Sequence, residues 1–312
     1  MEVIKLDVLK IAAFSDGLTG GNPAGVVISD ALPETSLMQQ TAAEVGFSET
    51  VYAAPYGDKW RVRYFSPESE VPFCGHATIA LGAALALRSG NKVFSLILNQ
   101  AEITVEGFAG SAHCHTEGDT TPSISAALQS PATCSKAAPA KLIDSALTLF
   151  GYAHKDLDMR IPPALINGGA DHLVLALNSR VALASMKYDL NQGRTLMVKE
   201  GLVTILLVYS ETERLFHTRN AFASGGVYED PATGASTAAF AGYLRDLGWA
   251  HGGFIDIVQG EDMGMRSLLH AEISDVPGGS IRVSGTARLM EETTARIDCQ
   301  AKTNGGSSNT NV

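Results

Sequence analysis

In KWRVRYF (59–65), Trp60, Val62 and Tyr64 alternate with Arg61 and Arg63, the period-2 pattern of a strand with one buried face. Similar short runs fill the first hundred residues: DVLKIAAF, AGVVIS, ETVYAA and VFSLIL. Two stretches follow the helical period instead. One begins near Glu34 and gathers Leu37, Met38, Thr41, Ala42 and Val45 on one face. The other, GHATIALGAALAL, is opened by Gly75 and His76 and is apolar on nearly every side. A helix of that kind is a buried one.

The second half repeats the rhythm. A helix is expected near Lys141 to Phe150, strands at HLVLAL and VTILLVY, an apolar helix after DPATG, then strands at FIDIVQG and SIRVSG. Residues 107–140 are small and polar without a sustained period and read as a connection between halves. GASTAAFAGYLRDL set under GHATIALGAALAL gives a similar order of glycine, small or polar pair, then apolar residues. The expected fold is therefore α+β: two pseudo-symmetric lobes, each with strands wrapped around a central helix. The first lobe spans 1–115 and is completed by a C-terminal strand near 280–290. The second spans 116–279, and 291–312 form a polar C-terminal extension.

Composition narrows the function. The chain has 312 residues, 45% hydrophobic and 18% charged, which suits a large packed core. A net charge of −10 argues against nucleic-acid partners, though not against a small anion. Cys74, Cys114, Cys134 and Cys299 form no CxxC pair and suggest no disulfide framework. The N-terminus lacks the pattern of a signal peptide, and the longest apolar run, 77–87, is short of the ~20 residues a membrane span needs. A cytoplasmic protein without membrane partners is expected.

FCGHAT places Cys74, Gly75 and His76 at the mouth of one buried helix; EDPATGAS places Asp230, Thr233, Gly234, Ala235 and Ser236 at the mouth of the other. A helix N-terminus offers unpaired N–H groups and partial positive charge. Two such ends facing each other would cradle a carboxylate. The alternative is a pair of tight turns feeding core helices. Glu49, in GFSETVYAA, either points to solvent from an edge strand or is buried with a raised pKa suited to proton exchange. Asn22, in GGNPAGVV, borders a pocket or shapes a turn. His172 faces the cleft or caps a turn, and Arg219 and Asn220 stand ahead of EDPATG where they could border the site. His113 to His115 (HCH) lack the partners of a metal site, and no nucleotide-binding pattern follows a strand. Neither metal nor cofactor is expected.

GNPAGVV, GFSETVY, RYFSPESEVPFCGHAT, EDPATGAS and VQGEDMGMRS together resemble the PhzF-like family of isomerases named for phenazine biosynthesis, over about residues 7–290. The resemblance implies the fold of diaminopimelate epimerase, with each of two similar lobes a mainly antiparallel, barrel-like sheet around a central helix, and a cofactor-independent isomerase. Glu49 would move a proton between carbons of a small, cyclic amino carboxylate. His76 and Asp230 would be polar partners of that substrate. Backbone amides around Gly75 and Gly234 would hold its carboxylate, with Asn22, Ala77, Thr233, Ala235 and Ser236 nearby. A homodimer is implied as well. The family commonly reads DPATGS where this chain has Ala235 followed by Ser236, which would displace a hydroxyl by about 100° around the helix. Two rivals stand beside this reading. One is a cofactor-independent racemase or epimerase using Cys74, whose second lobe offers no cysteine near its turn, only Asp230. The other is a carboxylate-binding protein of the same fold that turns nothing over.

Overall fold

The computed structural model describes residues 6–110 and 123–290. Its first half runs β1 (Leu9–Ala13), β2 (Asn22–Ile28), α1 (Thr35–Val45), β3 (Glu49–Tyr56), β4 (Lys59–Phe65), β5 (Glu70–Val71), α2 (Gly75–Ser89), β6 (Lys92–Ile97), β7 (Glu102–Ala109) and β8 (Ile124–Ala132). The second half runs β9 (Cys134–Ala137), α3 (Ala140–Phe150), β10 (Ala164–Asn167), β11 (Asp171–Leu177), α4 (Arg180–Ala184), α5 (Leu190–Glu200) and β12 (Thr204–Ser210). It continues through β13 (Leu215–Phe222), β14 (Val227–Asp230), α6 (Gly234–Asp246), β15 (Phe254–Gln259), β16 (Ser267–Glu272) and β17 (Ser280–Leu289).

Strand pairing closes a barrel in the order β1–β2–β3–β4–β6–β7–β8–β17 and back to β1. A second series runs β9–β10–β11–β12–β13–β15–β16–β17. It meets itself where Ser280 of β17 pairs with Ala132, the last residue of β8, two residues before β9 begins. The two series share one pattern. β2 and β3 are parallel around α1, as β11 and β12 are around α4 and α5. β4 and β6 are parallel around α2, as β13 and β15 are around α6. The other pairings are antiparallel. The repeated glycine-led helix is thus the sequence trace of a repeated supersecondary unit.

Each barrel is filled by its own helix. Residues 75–86 of α2 are all buried, as are nearly all from Gly234 to Leu244 of α6. Small residues make this possible: a Cβ on Gly107 of β7 would lie 2.2 Å from the Gly82 carbonyl oxygen of α2, so strand and helix touch backbone to backbone. Large side chains such as Leu81, Leu85 and Phe240 take the remaining interior. Outside, α1 covers Val27, Tyr52 and Phe65 with Met38 and Ala42. On the second lobe α3 and α5 cover Leu173, Leu175, Ile205 and Leu207.

The segment 107–140 corrects the expectation of a bare connection. It contains β8 and β9, and β8 pairs with both β7 and β17. Its alternation is real but carried by small residues: Ile124, Ala126 and Leu128 join the core around α2. Alanines and serines give weak hydropathic contrast, so the period did not stand out. The motif His113 to His115 lies outside the described residues. Among the described residues no helix is long and apolar enough to cross a membrane.

Candidate active site

Glu49 is the first residue of β3, an interior strand paired on one side with β2 and on the other with β4. Pairing on both edges removes the solvent-facing edge position, and Glu49 is only 8% exposed. Burial raises its pKa above the ordinary 4.5, with hydrogen bonds from Ser48 and Cys74 working the other way. Its Oε2 has no hydrogen-bond partner among the described residues. His76, in the first turn of α2, brings Nε2 to 3.3 Å from that oxygen, off the line of a hydrogen bond, and to 3.4 Å from Ser48 Oγ. Burial lowers the His76 pKa from 6.5, so the ring is neutral at pH 7. Half-buried Cys74 is the N-cap of α2, without a side-chain cap bond; its Sγ lies 3.3 Å from His76 Nδ1. Burial and the neighbouring Glu49 charge push this thiol up, so it keeps its proton.

The second lobe contributes Asp230 at the end of β14, 6% exposed. Asn22 of β2 donates from Nδ2 to Asp230 Oδ1 at 2.7 Å and to the Ala232 carbonyl at 3.0 Å, tying the lobes together. Thr233 Oγ1 donates to Asp230 Oδ2. Gln259 donates to the Asp230 carbonyl at 2.7 Å and to Thr233 Oγ1 at 3.1 Å. Burial pushes the Asp230 carboxyl from 3.8 up to about 6, opposed by His76, Thr233 and Asn22. The two carboxyls therefore differ in freedom: both oxygens of Asp230 are engaged, while Glu49 keeps one free.

The helix N-termini abut. A Cβ on Gly75 would sit 3.4 Å from the Ala235 nitrogen and 3.5 Å from Gly234 Cα. A Cβ there would make ordinary contact, while a larger or branched side chain would push one helix end from the other. Two partly positive ends thus converge between two buried carboxyls, and no Lys or Arg is among the hydrogen-bond or ion-pair partners of Glu49, Cys74, His76 or Asp230 among the described residues. Phe14, at the end of β1, is fully buried with φ +59°, a strained conformation for a bulky residue. Its ring packs 3.5 Å from where a Gly234 Cβ would stand, forming the floor beneath the α6 terminus.

The remaining expected residues divide. Thr233 takes the N-cap position of α6 and Ala235 follows Gly234 in its first turn. The hydroxyl of Ser236 turns away into the fold, donating to the Thr233 carbonyl at 3.1 Å and accepting from Asn220 Nδ2 at 3.0 Å. Asn220 thus supports the α6 terminus. Arg219, its neighbour on the strand, points outward into a buried ion pair with Glu229 and bonds to the Ala184 and Met186 carbonyls. His172 is fully buried, with Nδ1 2.7 Å from Thr204 Oγ1 and a pKa lowered by burial to about 4. Gln259 is the residue that motif reasoning overlooked. It lies in VQGEDMGMRS, but a strand-end glutamine carries no signal of burial.

Two barrels in tandem, each with a buried helix whose N-terminus meets the other beside the buried carboxyls of Glu49 and Asp230, define a class of two-lobed α+β proteins. The chain belongs to the phenazine biosynthesis-like PhzC-PhzF family, whose model matches residues 11–293. It is 29% identical over 288 residues to an uncharacterized isomerase of Mesorhizobium japonicum, covering 88% of this chain and 93% of that one. A predicted epimerase from Pseudomonas aeruginosa superposes with a TM-score of 0.77 at 22% identity, covering 92% and 97% of the two chains. A PhzF-family phenazine biosynthesis protein from Bacillus anthracis superposes at 0.75, with 21% identity and 92% and 98% covered.

Proposed function

We propose that this protein is an isomerase that moves a proton between carbons of a small carboxylate, with Glu49 carrying the proton. The observation behind this reading is the buried Glu49 carboxyl with one unpartnered oxygen beside two converging helix termini. Its raised pKa keeps a share of it protonated toward neutral pH, as a group must be to give a proton and then recover one. The protonated carboxyl donates to one carbon, and the carboxylate left behind removes a proton from another, so the product is an isomer and the enzyme is restored. Negative charge developing toward the substrate carboxylate is met by the N–H groups of both helix termini. Asp230, with both oxygens already held, orients rather than shuttles; an amino group on the substrate is its fitting partner. Neutral His76 positions polar atoms next to Glu49. The names of the relatives, isomerase and epimerase, support the same class. Action without metal or cofactor and a homodimer are what the family resemblance implies.

One observation favours a second reading, epimerisation through Cys74: its sulfur lies 3.3 Å from His76 Nδ1. The raised thiol pKa weighs against it, as does the turn Asp230–Pro231–Ala232, which supplies no second thiol. The test is incubation in D2O with a panel of small amino and cyclohexadiene carboxylates, following carbon-bound deuterium by NMR. The proposal expects ligand-dependent incorporation that persists in Cys74→Ala. Loss of incorporation in Cys74→Ala would transfer the chemistry to the thiol. Ligand binding without exchange on any compound would favour a non-catalytic carboxylate-binding protein.

A further inference from the structure

The geometry points to a second occupant for this cleft: we propose that Cys74, His76 and Glu49 bind a thiophilic divalent cation such as zinc, and that the bound metal blocks proton transfer. The binding claim stands on the three side chains alone, and the claim of inhibition rests on the reading of Glu49 given above.

One donor atom from each of the three residues lies within 4.8 Å of the other two. Cys74 Sγ to His76 Nε2 is 3.9 Å and His76 Nε2 to Glu49 Oε2 is 3.3 Å. Zinc held at about 2.3 Å from sulfur and about 2.0 Å from nitrogen and oxygen has tetrahedral edges of roughly 3.3–3.6 Å. The nitrogen–oxygen edge is already met; the sulfur, 3.3 Å from Nδ1 and 3.9 Å from Nε2, must swing by side-chain rotation toward Nε2 to complete the sulfur–nitrogen edge. Thiolate, imidazole and carboxylate are the donor set that borderline-soft zinc prefers over magnesium or calcium.

A second, independent feature asks for a ligand. Glu49 is more than nine-tenths buried, yet Oε2 has no hydrogen-bond partner among the described residues, and an unpaired buried oxygen is costly. It faces Nε2, the nitrogen that would supply the lone pair when the ring proton sits on Nδ1. Nearby Asp230 adds negative potential, and no Lys or Arg contacts the group among the described residues to repel a cation. Three protein ligands leave a fourth position, open on the half-buried side of Cys74, for water or a carboxylate. On binding, the Cys74 thiol releases its proton to solvent and sulfur forms the metal bond; Glu49 releases a proton where it carries one. Nothing is oxidised or reduced. With Oε2 bound to metal, that oxygen can no longer carry the proton.

Cobalt(II) titrated into the untagged, metal-free chain reports the site directly. One equivalent is expected to produce a sulfur-to-cobalt charge-transfer absorption together with the visible bands of four-coordinate cobalt. Cys74→Ser should remove the charge-transfer band. Glu49→Gln should weaken binding by more than the roughly 10–100-fold that loss of a mere supporting partner costs. In the wild-type chain, which needs no variant to fold, metal should shield Cys74 from iodoacetamide while exposed Cys134 still reacts. Zinc should stop deuterium exchange and a chelator should restore it. Absence of the charge-transfer band would overturn the proposal. So would a band surviving Cys74→Ser, which would place the metal on another of the four cysteines. Because binding is read without substrate, its failure leaves the role of Glu49 standing. Conversely, exchange that survives Glu49→Gln beside an intact cobalt spectrum would sink the assignment of the base and the claim of inhibition, not the metal site.

Discussion

Asp230→Asn should make the protein gain stability relative to wild type as pH rises. In the folded chain the Asp230 carboxyl titrates at about 6, against 3.8 ordinarily. A carboxyl with a raised folded pKa favours folding fully below the unfolded value. That contribution is lost as pH rises through the folded value, because ionising a buried group is harder than ionising an exposed one. Two pH units at about 1.36 kcal/mol each give a loss of about 3 kcal/mol. About 2 kcal/mol of this falls between pH 4.5 and pH 8 by the linkage relation. Asparagine removes the titration. It also weakens the bond from Thr233, a fixed offset of about 1–2 kcal/mol, which cancels when the two proteins are compared across pH. Urea unfolding followed by the fluorescence of Trp60 and Trp249, at steps from pH 4.5 to 8, measures the difference. The curve of variant minus wild type should rise by about 2 kcal/mol, mostly below pH 7. A flat or falling difference would mean that Asp230 ionises without penalty in the fold, and the account of its burial would be wrong.

Three further outcomes follow from the same geometry. Asn22→Ala removes donors to Asp230 and to the Ala232 carbonyl; chemical denaturation at pH 7 should show a loss of about 1.5–3 kcal/mol, as for a hydrogen bond to a charged group. Arg219→Ala leaves Glu229 buried without its partner and should cost about 3–5 kcal/mol, much of it recovered when Glu229 is also replaced by Met; a double-mutant cycle tests this. Gly75→Val wedges branched atoms between helix ends that already meet at contact distance; calorimetry should show carboxylate affinity falling more than about tenfold, while Gly75→Ala, whose Cβ fits at 3.4 Å, loses less.

The sequence carried the frame of this fold because its strands contrast well. KWRVRYF alternates cleanly and is β4 from end to end, and GHATIALGAALAL is the helix of the first barrel. Where contrast was low, the reading failed. β8 is built from serine and alanine around Ile124 and Leu128. α5 buries only Gly193 and Met197 and shows no stripe. β13 turns Thr218 and Asn220 inward, where a hydropathic pattern expects apolar residues, because its end lies beside the polar cleft. The site was legible through its glycines: Gly75 and Gly234, 159 positions apart, meet because the two repeats face each other. What no local pattern could supply was the partner of each group. That Glu49 keeps a free oxygen, that Asp230 does not, and that Ser236 turns inward toward Asn220 depend on contacts between distant segments.

The central claim is that one buried carboxyl carries the proton, and Glu49→Gln tests it most directly. Glutamine keeps the shape and the hydrogen bonding of the side chain but cannot exchange a proton. Wild type and variant would be compared in D2O with a compound that the wild type labels, measuring the rate of carbon-bound deuterium incorporation, with ligand-induced shifts verifying that binding survives. The expected result is intact binding with exchange slowed by about 10²–10⁴-fold, the usual share of a general acid–base group. Exchange at the wild-type rate with Glu49→Gln would show that another group moves the proton and would contradict the account.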